Sequence, residues 1–575
     1  MIDVDDRYAA YQALPKRPPT ETLAWNVYGK GIEAVGRDGR PEPVPVPRPA
    51  AEQLLVRVDA VGLCFSDVKL IRLGGEHPKL YGRDLASEPT RLGHETAVTV
   101  IEVGDALEGR YRPGQRLAIQ PDIYVDGRST AYGYTIPGGL IGYHVIGPEV
   151  LAADDGAYVV EVDDRLGYAE TALTEPWACV EAAYTQRRRL VPATDGRAWV
   201  IGRPVDDRAY RPGEVLSGAR EIVLSGLSDA DVAKIRQRAA PDTRVDVADE
   251  RDVSGPFDDI ILLGPRSAEV VSRAADALAY RGVLNLVADE PLDGPVELDI
   301  GRLHYHYTAF VGTTGLDVAA SYGEKRNRAE LLAGGTAVFI GAAGPMGQMH
   351  LERALRMPNG PARLVGVDLD ADRMAAARVR LQPIAAANGR ELVLRVPGEG
   401  ETLASIVAAE TGGRGADDVV VTAPSPAAVI DGATVMAPDG MLVLFAGLPV
   451  GTRASLDLSP VFLHGAQYTG TSGSRILDQE RVVEKTLAGQ LSPGRALAAV
   501  GGIDAARDGL QAMIDGRFPG KIVIFPQLSG LPLTSLDDLA AADPELAASL
   551  GEGGTWTREA EAILFARYWT PNAQP

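Results

Sequence analysis

A long internal repeat constrains the fold of this chain more than any other sequence feature. Residues 282–315 align without a gap on residues 440–473 at an offset of 158, and eleven of the thirty-four pairs are identical. Upstream of these segments, residues 258–265 match residues 417–424. Chance similarity between two α/β units is the alternative, but the ungapped run is long for it. The sequence therefore predicts a duplicated domain.

Each copy alternates short apolar runs with segments of helix length, which is the pattern of a parallel α/β sheet. Residues 51–170 differ, because short β-like runs separated by Gly and Pro favour a small antiparallel β domain there. We predict an α/β protein in which this β domain precedes two tandem Rossmann-type, doubly wound parallel sheets. The strand-like runs are 198–201, 221–224, 259–263 and 283–287 in the first copy, and 336–340, 363–367, 418–421 and 441–445 in the second.

The two copies differ at the turn after their first strand. The second copy has Gly-Ala-Ala-Gly-Pro-Met-Gly at 341–347, just before a helix-like segment. Glycines at such a turn let the backbone approach a diphosphate, and the helix N-terminus supplies free N–H groups. The first copy has Gly-Arg-Pro-Val-Asp-Asp-Arg at 202–208. We predict that this first copy is degenerate and that the cofactor turn consists of Gly341, Gly344, Pro345, Met346 and Gly347.

A carboxylate after the second strand points to the kind of dinucleotide. Asp368 lies 21 residues past Gly347, where a carboxylate accepts hydrogen bonds from ribose hydroxyls and repels a 2′-phosphate. This favours NAD over NADP, although Arg373 would soften the preference. The spacing Gly-x-x-Gly-x-x-Gly departs from Gly-x-Gly-x-x-Gly, so an α/β turn with incidental glycines is the alternative.

Three residues before the repeat have the chemistry of a metal site. Cys64, His94 and Glu175 offer a thiolate, an imidazole and a carboxylate, which is the ligand mix of a catalytic zinc. Each residue taken alone also has a structural explanation. Cys64 could be a small buried side chain, His94 a hydrogen-bonded histidine, and Glu175 the start of a helix with Pro176 at its first position. Their joint spacing, followed by a dinucleotide turn, favours the metal.

These motifs resemble the zinc-dependent medium-chain dehydrogenases of the alcohol and polyol dehydrogenase superfamily. The similarity extends over about residues 50–526, apart from an extra block near 197–330. Glu175 stands where classical alcohol dehydrogenases carry a cysteine, so the chain is most similar to the sorbitol and sorbose-phosphate branch. The resemblance implies a GroES-like fold for the β domain. The matching segments are 62–67, 93–95, 111–116 with Gly104, Glu175-Pro176, 341–347 and 519–524.

The resemblance also implies a role for individual residues. Cys64 and His94 would bind zinc, and Glu95 and Glu175 would bind it directly or through its water. Ser66 would pass the alcohol proton outward. Two further assignments follow, namely Asp67 as the residue that orients the ligands and Lys69 at the position of a histidine relay in many relatives.

A single metal is expected, because no cysteine lies between Cys64 and Cys179 to form a structural zinc lobe. Bound zinc lowers the pKa of a substrate oxygen, and hydride then passes to a nicotinamide. The expected activity is therefore a zinc- and NAD-dependent dehydrogenase of a polyol or sugar. A zinc-free quinone or enoyl reductase and a non-catalytic dinucleotide sensor or scaffold are the alternatives.

A phosphorylated substrate would need cations near the metal. Arg72, Lys79 and Arg83 follow the cysteine in a loop-like stretch, and Arg475 follows a Gly-Thr-Ser-Gly-Ser run. These residues could hold a phosphate, and solvated loop charge is the plainer reading.

Composition limits the other function classes. With 575 residues, the chain should form two to four domains. A net charge of −21 argues against nucleic acid or an anionic membrane as partner. No run of about 18 apolar residues predicts a spanning helix. Two cysteines and an acidic N-terminus without a signal-peptide pattern predict a cytoplasmic protein.

The sequence thus divides into six segments. We also expect the first copy to cover the sheet edge of the second, as an internal partner in place of a second subunit, although a homo-oligomer stays possible. The segments are an extended N-terminal extension (1–50), the zinc catalytic domain (51–195), the degenerate Rossmann-like domain (196–330), the NAD-binding domain (331–500), a return to the catalytic domain (501–526) and a helical C-terminal extension (527–575).

Overall fold

The computed structural model describes residues 4–185, 188–203, 205–206, 208–212 and 214–570. The chain forms two compact units. The first contains residues 1–182 and 473–575, and the second contains residues 183–472. The domain boundaries drawn from the sequence stay predictions.

The amino-terminal part of the first unit consists mainly of short strands. Residues 1–50, for which extended backbone is expected, also contain a helix, α1, whose Tyr8 and Tyr11 are buried. The helices are α1 (Val4–Gln12), α2 (Phe65–Leu73), α3 (Pro148–Leu151), α4 (Tyr168–Ala172) and α5 (Thr174–Ala182). The strands are β1 (Glu21–Ala24), β2 (Asn26–Val27), β3 (Glu42–Pro45), β4 (Leu54–Leu63), β5 (Thr90–Arg91), β6 (Glu95–Val103), β7 (Arg116–Ile119), β8 (Tyr124–Val125), β9 (Arg128–Ser129), β10 (Tyr143–Ile146) and β11 (Val159–Glu161).

The second unit begins with the first copy of the repeat. Its six-stranded parallel sheet has the order β14-β13-β12-β15-β16-β18. Its helices are α6 (Asp229–Arg238), α7 (Ala268–Asp276) and α8 (Ile300–Tyr305). Its strands are β12 (Arg197–Ile201), β13 (Glu221–Ser225), β14 (Arg244–Val247), β15 (Phe257–Leu263), β16 (Leu278–Val287), β17 (Val296–Asp299) and β18 (Ala309–Thr313).

The second copy repeats this topology. Its parallel sheet has the order β21-β20-β19-β22-β23-β25, which is the order of the first copy and of doubly wound nucleotide-binding folds. The two tandem Rossmann-type sheets predicted from the sequence are confirmed. The elements are β19 (Thr336–Ile340), α9 (Pro345–Arg356), β20 (Arg363–Val367), α10 (Ala371–Ala387), β21 (Glu391–Arg395), α11 (Leu403–Thr411), β22 (Ala416–Val421), α12 (Pro426–Thr434), β23 (Met436–Leu444), β24 (Arg453–Leu456), α13 (Ser459–Leu463) and β25 (Gln467–Gly470).

The copies share even an unfavourable backbone conformation. Arg281 and its counterpart Asp439 have φ angles of 57° and 56°, a region that side-chain-bearing residues rarely adopt. The Arg281 N–H donates to the His306 carbonyl at 2.7 Å, and the Asp439 N–H donates to the His464 carbonyl at 2.6 Å. Equal strain with equal hydrogen bonds at the repeat offset supports duplication of one domain.

The two copies pair through a strand outside each main sheet. β17 and β24 are antiparallel, and Glu297 lies opposite Ser455, its own counterpart at the repeat offset. On one side of this pair, Val296 lies opposite Leu456. On the other side, Leu298, the counterpart of Leu456, lies opposite Ala454, the counterpart of Val296. A residue paired with its own counterpart marks a local two-fold axis, as in an isologous dimer interface.

Each copy also covers the last strand of the other copy's sheet. A Cβ on Gly312 in β18 would lie 2.7 Å from the Phe462 Cβ in α13. A Cβ on Gly470 in β25 would lie 2.6 Å from the Leu303 carbonyl oxygen in α8. These reciprocal approaches leave no room for side chains, so both outer strands are covered within the chain.

The first copy differs from the second after its first strand. Among the described residues between β12 and β13 none is helical, whereas α9 follows β19 directly. Arg208 instead pairs with Asp206 at 3.3 Å and with Asp289 at 2.6 Å. Pro204 and Asp207 of the predicted degenerate turn lie outside the described residues. Charged side chains therefore fill the place where a diphosphate turn would need bare backbone.

The chain returns to the first unit after the second copy. The main sheet there has the order β11-β7-β6-β4-β27-β26-β28, and β10 also pairs with β4. The predicted closing strand at 519–524 is present as β27, antiparallel to β4. The returning elements are α14 (Ile476–Leu487), β26 (Leu497–Gly502), α15 (Ala506–Ile514), β27 (Lys521–Phe525), β28 (Thr534–Ser535), α16 (Leu536–Ala542), α17 (Pro544–Ser549) and α18 (Arg558–Tyr568).

The carboxyl-terminal helix anchors two earlier helices of the first unit. Glu561 in α18 is fully buried and accepts the N–H groups of Tyr168 and Ala169 at 2.7 and 2.8 Å. It also accepts the Tyr8 hydroxyl of α1 at 3.1 Å. The carboxylate thus satisfies two of the N–H groups at the start of α4, which a helix cannot satisfy by itself.

The helices are short in comparison with a lipid bilayer. The longest helix described, α10, has 17 residues, and a bilayer core requires about 20 apolar residues. In the described part of the chain, no helix has the length and apolar character needed to cross a membrane.

Replacement of Gly301 by leucine should disrupt the contact between the two copies. A Cβ there would lie 2.2 Å from the Pro449 carbonyl oxygen, whereas the counterpart Ser459 accepts the Leu292 N–H at 3.2 Å. We expect G301L to lower the free energy of unfolding by about 3 kcal/mol in urea titrations. Gly294, whose Cβ position has open space around it, supplies the control G294L. Equal stability of the two variants would contradict a tight interface.

Replacement of Glu561 by alanine should loosen the helices α1 and α4. Two N–H groups and one hydroxyl would lose their acceptor in a buried place, so we expect a loss of about 3 kcal/mol in the free energy of unfolding. The control is E559A, two residues earlier in the same helix, because Glu559 is exposed. A loss for E559A as large as that for E561A would show that helix propensity, rather than the buried carboxylate, is responsible.

Candidate active site

Three of the predicted ligands lie together in the first unit. One ligand atom from each of Cys64, His94 and Glu95 lies within 4.8 Å of the others. Cys64 follows the end of β4, and Glu95 begins β6, the strand paired with β4, so the two ligands lie at adjacent strand ends. The Oε2 atom of Glu95 is buried without a hydrogen-bond partner. A thiolate, an imidazole and an unpartnered carboxylate oxygen are a donor set that fits zinc.

Asp67 supports two of these residues. Its Oδ2 atom accepts the Cys64 N–H at 2.9 Å, and its Oδ1 atom lies 3.4 Å from the His94 Nδ1 atom. Burial alone would lower the pKa of His94, but the Asp67 carboxylate and the Cys64 thiol outweigh burial and raise it. The Nδ1 atom of His94 is buried and lies near this carboxylate without a hydrogen bond to it.

Glu95 has a cationic partner that the sequence reasoning missed. The ammonium group of Lys521 in β27 contacts its Oε1 atom, and the side chains of Lys521 and Glu95 are 4% and 0% exposed. Burial would lower the pKa of Lys521, but Glu95, Cys64 and Glu175 together raise it. The approach of Glu95 also requires glycine at position 62, since a Cβ there would lie 2.1 Å from Oε2. A lysine inside the otherwise apolar closing strand was the sequence feature that could have indicated a buried ion pair.

Glu175 lies near these groups without belonging to the tight cluster. It is in α5 and is 4% exposed. Burial raises its pKa to about 7, with the neighbouring Glu95 and Asp122 also raising it and His94 opposing them. The Cys179 thiol lies 3.5 Å from its Oε1 atom. The structure thus brings a further carboxylate to the site, and Glu95 is the one within ligand distance of Cys64 and His94.

The remaining predicted catalytic residues lie on α2. The Ser66 Oγ atom is 3.7 Å from the Cys64 Sγ atom. Lys69 is half-buried one turn further on and lies close enough to His77 to affect its pKa. Ser66 is therefore beside Cys64, and Lys69 lies three residues further along the same helix.

Each of the four candidate phosphate cations has a contact of its own in the structure. Arg72 is exposed, with its guanidinium 5.5 Å from the Phe65 ring centroid. Arg83 lies 3.6 Å from Glu88, and Arg475 pairs at 3.4 Å with an aspartate three residues along its own helix. None of these contacts points to a shared anion site.

Lys79 differs from these arginines. Its ammonium group lies 3.1 Å from Asp122 and 4.9 Å from the Tyr134 ring centroid. The Tyr134 ring lies 5.9 Å from the ring of His94 and 5.1 Å from the ring of His77. Sequence reasoning placed Asp122 and Tyr134 only in a segment, 120–134, that could form a pocket rim or pack on the surface, and it did not single out His77, because no local motif surrounds these residues.

The second unit holds the predicted dinucleotide turn. Gly341 has a φ angle of 82°, which favours glycine. A Cβ on Gly347 would lie 2.2 Å from the Gly341 carbonyl oxygen, so α9 begins directly under the turn. Gly344 precedes that helix and Pro345 is its first residue, with Met346 beside them. Free N–H groups at this helix start can bind a diphosphate.

Two charged residues follow the next strand. The Oδ2 atom of Asp368 accepts the Ala343 N–H at 2.9 Å, which holds the carboxylate beside the glycine turn. Arg373 lies 3.5 Å from Asp370. The geometry brings Asp368 to the turn, where a ribose would be held in a dinucleotide complex.

Comparisons with known proteins agree with this arrangement. Residues 50–181 match the alcohol dehydrogenase GroES-like domain. The chain is 24% identical over 552 residues to the L-sorbose 1-phosphate reductase of Klebsiella pneumoniae, covering 95% of this chain and 97% of that protein. It is also 24% identical over 538 residues to the mannitol-1-phosphate 5-dehydrogenase of Aliivibrio fischeri, covering 91% of this chain and 94% of that protein.

A solved structure has the same fold. The 2R,3R-butanediol dehydrogenase of Bacillus subtilis aligns with a TM-score of 0.52 and 16% identity, covering 88% of this chain and 99% of that chain. At this identity the likeness shows the fold alone. Together with the family match and the two full-length relatives, it confirms the resemblance that the sequence motifs predict.

Removal of the Lys521 ammonium should leave Glu95 as an uncompensated buried charge. We expect K521M to lower the free energy of unfolding by about 3–5 kcal/mol in metal-free protein, measured by urea titration. The double variant K521M/E95Q tests the cause, because removal of both charges should recover part of the loss. Strict additivity of K521M and E95Q would mean that the two groups do not interact.

Proposed function

We propose that the chain, which is similar to the alcohol and polyol dehydrogenases, transfers hydride between NAD(H) and a polyol–ketone pair at a zinc site. The observation that carries the proposal is the cluster of half-buried Cys64 with buried His94 and Glu95, with Glu175 beside it. A structural zinc would be closed by four protein ligands, whereas a three-ligand set leaves a position for substrate.

We assign the metal to Cys64 and His94, with Glu95 as the third ligand and Glu175 acting on the water side. Zinc bound there would act as a Lewis acid and lower the pKa of the substrate hydroxyl. Asp67 holds the Cys64 backbone in position and lies beside the His94 ring. The buried ammonium of Lys521 offsets part of the negative charge that the cysteine and the glutamates bring.

The proton of the substrate hydroxyl needs a route to water. Ser66, beside Cys64, is the first hydroxyl on that route. Lys69 on the same helix lies further out and is the second group that we assign to it. The proposed route thus follows α2 from Ser66 to Lys69, and Asp67 on the same helix contacts the Cys64 backbone.

We assign the cofactor to the second α/β copy. The N-terminus of α9 and the glycines at 341, 344 and 347 would hold the diphosphate, and Asp368 would accept the ribose hydroxyls. A carboxylate at this position disfavours a 2′-phosphate, so NAD is the proposed cofactor. Arg373 is engaged with Asp370, which reduces its capacity to attract NADP.

The proposed substrate is a polyol or sugar, and the full-length relatives support a phosphorylated one. Two of them are named for sugar phosphates, and they match this chain over more than nine-tenths of its length. A zinc-free reductase and a non-catalytic dinucleotide sensor are the alternatives, and both are outcomes of the experiment below.

The first α/β copy is proposed to act as an internal partner of the second. Its β17 pairs with β24 around a local two-fold axis, and its α8 covers the edge strand β25. In a chain of this kind a second subunit is not needed at that edge. The copy would therefore serve as a support for the cofactor domain and not as a second cofactor site.

Zinc content and turnover test the proposal together. We expect about one zinc per chain by mass spectrometry in the wild type and in C179S, and none in C64S. NAD reduction on sorbitol, mannitol and their phosphates should fall at least about 1000-fold in C64S. Chelation should abolish activity, and added zinc should restore it.

Several outcomes would contradict the proposal. Turnover without bound metal would favour the zinc-free reductase. Zinc and NAD binding without turnover on any member of the panel would favour the sensor. Equal zinc loss in C64S and C179S would show that neither cysteine is specific to the site.

A further inference from the structure

A lysine and an aspartate from two separate loops of the first unit pair beside Tyr134. We propose that Lys79 and Asp122 form a subsite that binds a hydroxyl group of the substrate, on a carbon away from the one that loses hydride. The inference rests on the proposed function, because it names a part of the polyol that the enzyme would recognise. It makes Lys79 a specificity-determining residue that favours polyhydroxylated chains over short diols.

The Asp122 carboxylate is held at both oxygen atoms. Its Oδ1 atom accepts the Lys79 ammonium at 3.1 Å, and its Oδ2 atom accepts the Ser474 N–H at 3.1 Å. The side chain of Gln120 donates to the Ser474 hydroxyl at 2.8 Å and accepts the Asp122 N–H at 2.8 Å. Gly473 has a φ angle of 64°, and a Cβ there would lie 1.8 Å from Oδ2. The carboxylate therefore has a fixed place against bare backbone.

The backbone of Lys79 is held as well. Its carbonyl accepts the Thr135 hydroxyl at 2.5 Å, and its N–H donates to the Nδ1 atom of His77 at 3.3 Å. The side chains of Lys79 and Asp122 are nevertheless 36% and 20% exposed. The pair is thus pre-organised by the surrounding chain and still open to a ligand.

The position of the pair relative to the metal-type cluster fits an extended substrate. The Lys79 ammonium lies 4.9 Å from the centroid of the Tyr134 ring, and that ring lies 5.9 Å from the ring of His94. One buried aromatic ring thus separates the pair from a candidate metal ligand. In the proposed complex the reacting carbon lies at the metal, and the rest of the polyol extends past Tyr134 to the pair.

The charge of the pair suits a neutral ligand. Burial would lower the pKa of Lys79, but Asp122 raises it. Burial would raise the pKa of Asp122, but Lys79 lowers it. Both groups are therefore ionised at neutral pH, and their charges cancel. A phosphate bound to this ammonium would also face the carboxylate, so the pair does not favour a second anion.

The hydrogen-bonding capacity of the pair suits a hydroxyl group. An ammonium has three donors, of which Asp122 takes one, and an oxygen of a carboxylate can accept a second hydrogen bond. A hydroxyl group both donates and accepts, so it can bind the lysine and the aspartate together. A phosphate dianion only accepts and can use only the lysine.

The test compares a long and a short substrate in the zinc- and NAD-loaded protein. Sorbitol and 2,3-butanediol both have a secondary alcohol beside a second hydroxyl, but only sorbitol has hydroxyls further along its chain. We expect K79M to lower the ratio of kcat/KM for sorbitol to kcat/KM for 2,3-butanediol about tenfold or more, mainly through KM for sorbitol. Sorbitol 6-phosphate should lose as much as sorbitol, because the pair binds a hydroxyl and not the phosphate.

Lys30 supplies the matched control. Its ammonium lies 2.6 Å from Glu76, and the two side chains are 52% and 72% exposed. K30M therefore removes a lysine from another ion pair of the same unit and should leave the ratio unchanged. K79M alone leaves Asp122 without its cation. The double variant K79M/D122N removes both charges and should show the same change in ratio even if K79M folds poorly.

Binding of sorbitol gives a readout that does not need turnover. An NMR titration of the zinc- and NADH-loaded protein should give a Kd for sorbitol about tenfold higher in K79M than in the wild type and K30M. Where 2,3-butanediol does not turn over, this titration decides.

The failures of the two proposals can be told apart. Equal losses on sorbitol and 2,3-butanediol in K79M, or a loss confined to sorbitol 6-phosphate, would overturn the hydroxyl subsite and leave the proposed function intact. Zinc-loaded protein without turnover on any substrate would overturn the proposed function. In that case sorbitol binding that depends on Lys79 but not on Lys30 would still support the subsite. Binding that is absent, or equal in the wild type and K79M, would overturn the subsite too.

Discussion

The arrangement of the candidate active site depends on several acidic side chains that lie close together with little access to water. Cys64, Glu95 and Glu175 supply a thiol and two carboxyl groups with little access to water. Such a group is costly unless cations lie within it. Lys521 supplies one cation permanently, and a bound metal would supply the other. The closing strand β27 thus contributes to the chemistry as well as to the sheet, because it carries that lysine to Glu95.

This constraint explains the sequence around the site. Gly62 leaves room for Glu95, and the Cys64 backbone is held by Asp67. Each residue was visible in the motifs that predicted the site, but the reason for its presence depends on a partner far away in the chain. The two partners of the buried ion pair, Glu95 and Lys521, are separated by 426 residues in the sequence.

Features that depend on local sequence could be predicted, whereas contacts between residues far apart in the chain could not. The tandem sheets were predictable, because strand periodicity and the repeat are local signals, and the runs 336–340 and 363–367 match β19 and β20. Cys64 and His94 belonged to the ligand set predicted from short motifs, whereas Glu95 entered only through the family resemblance and Glu175, the third residue of that set, lies outside the tight cluster. Lys521 and Tyr134 were not, because their roles arise only when distant segments meet. The helix α1 was missed because the prolines that follow it dominate the composition of residues 1–50.

The duplicated domain illustrates the same limit in another way. The repeat predicted two similar sheets, whereas the antiparallel pairing of β17 with β24 could not be read from either copy alone. A strand that pairs with its own counterpart gives no distinctive sequence pattern, because each half looks like an ordinary surface strand. Only the offset between the copies, applied to the observed register, reveals the two-fold axis.

The local two-fold axis has a consequence for how this interface can change. In a dimer of identical chains, every substitution appears on both sides of the axis, and both sides must tolerate it. Here the two sides are inherited separately. Gly301 keeps a bare backbone where the Pro449 carbonyl approaches, while the equivalent Ser459 carries a hydroxyl that binds the Leu292 N–H. Two copies within one chain thus make two separate contacts, each of which can change by itself, where a dimer of identical chains would have one symmetric contact.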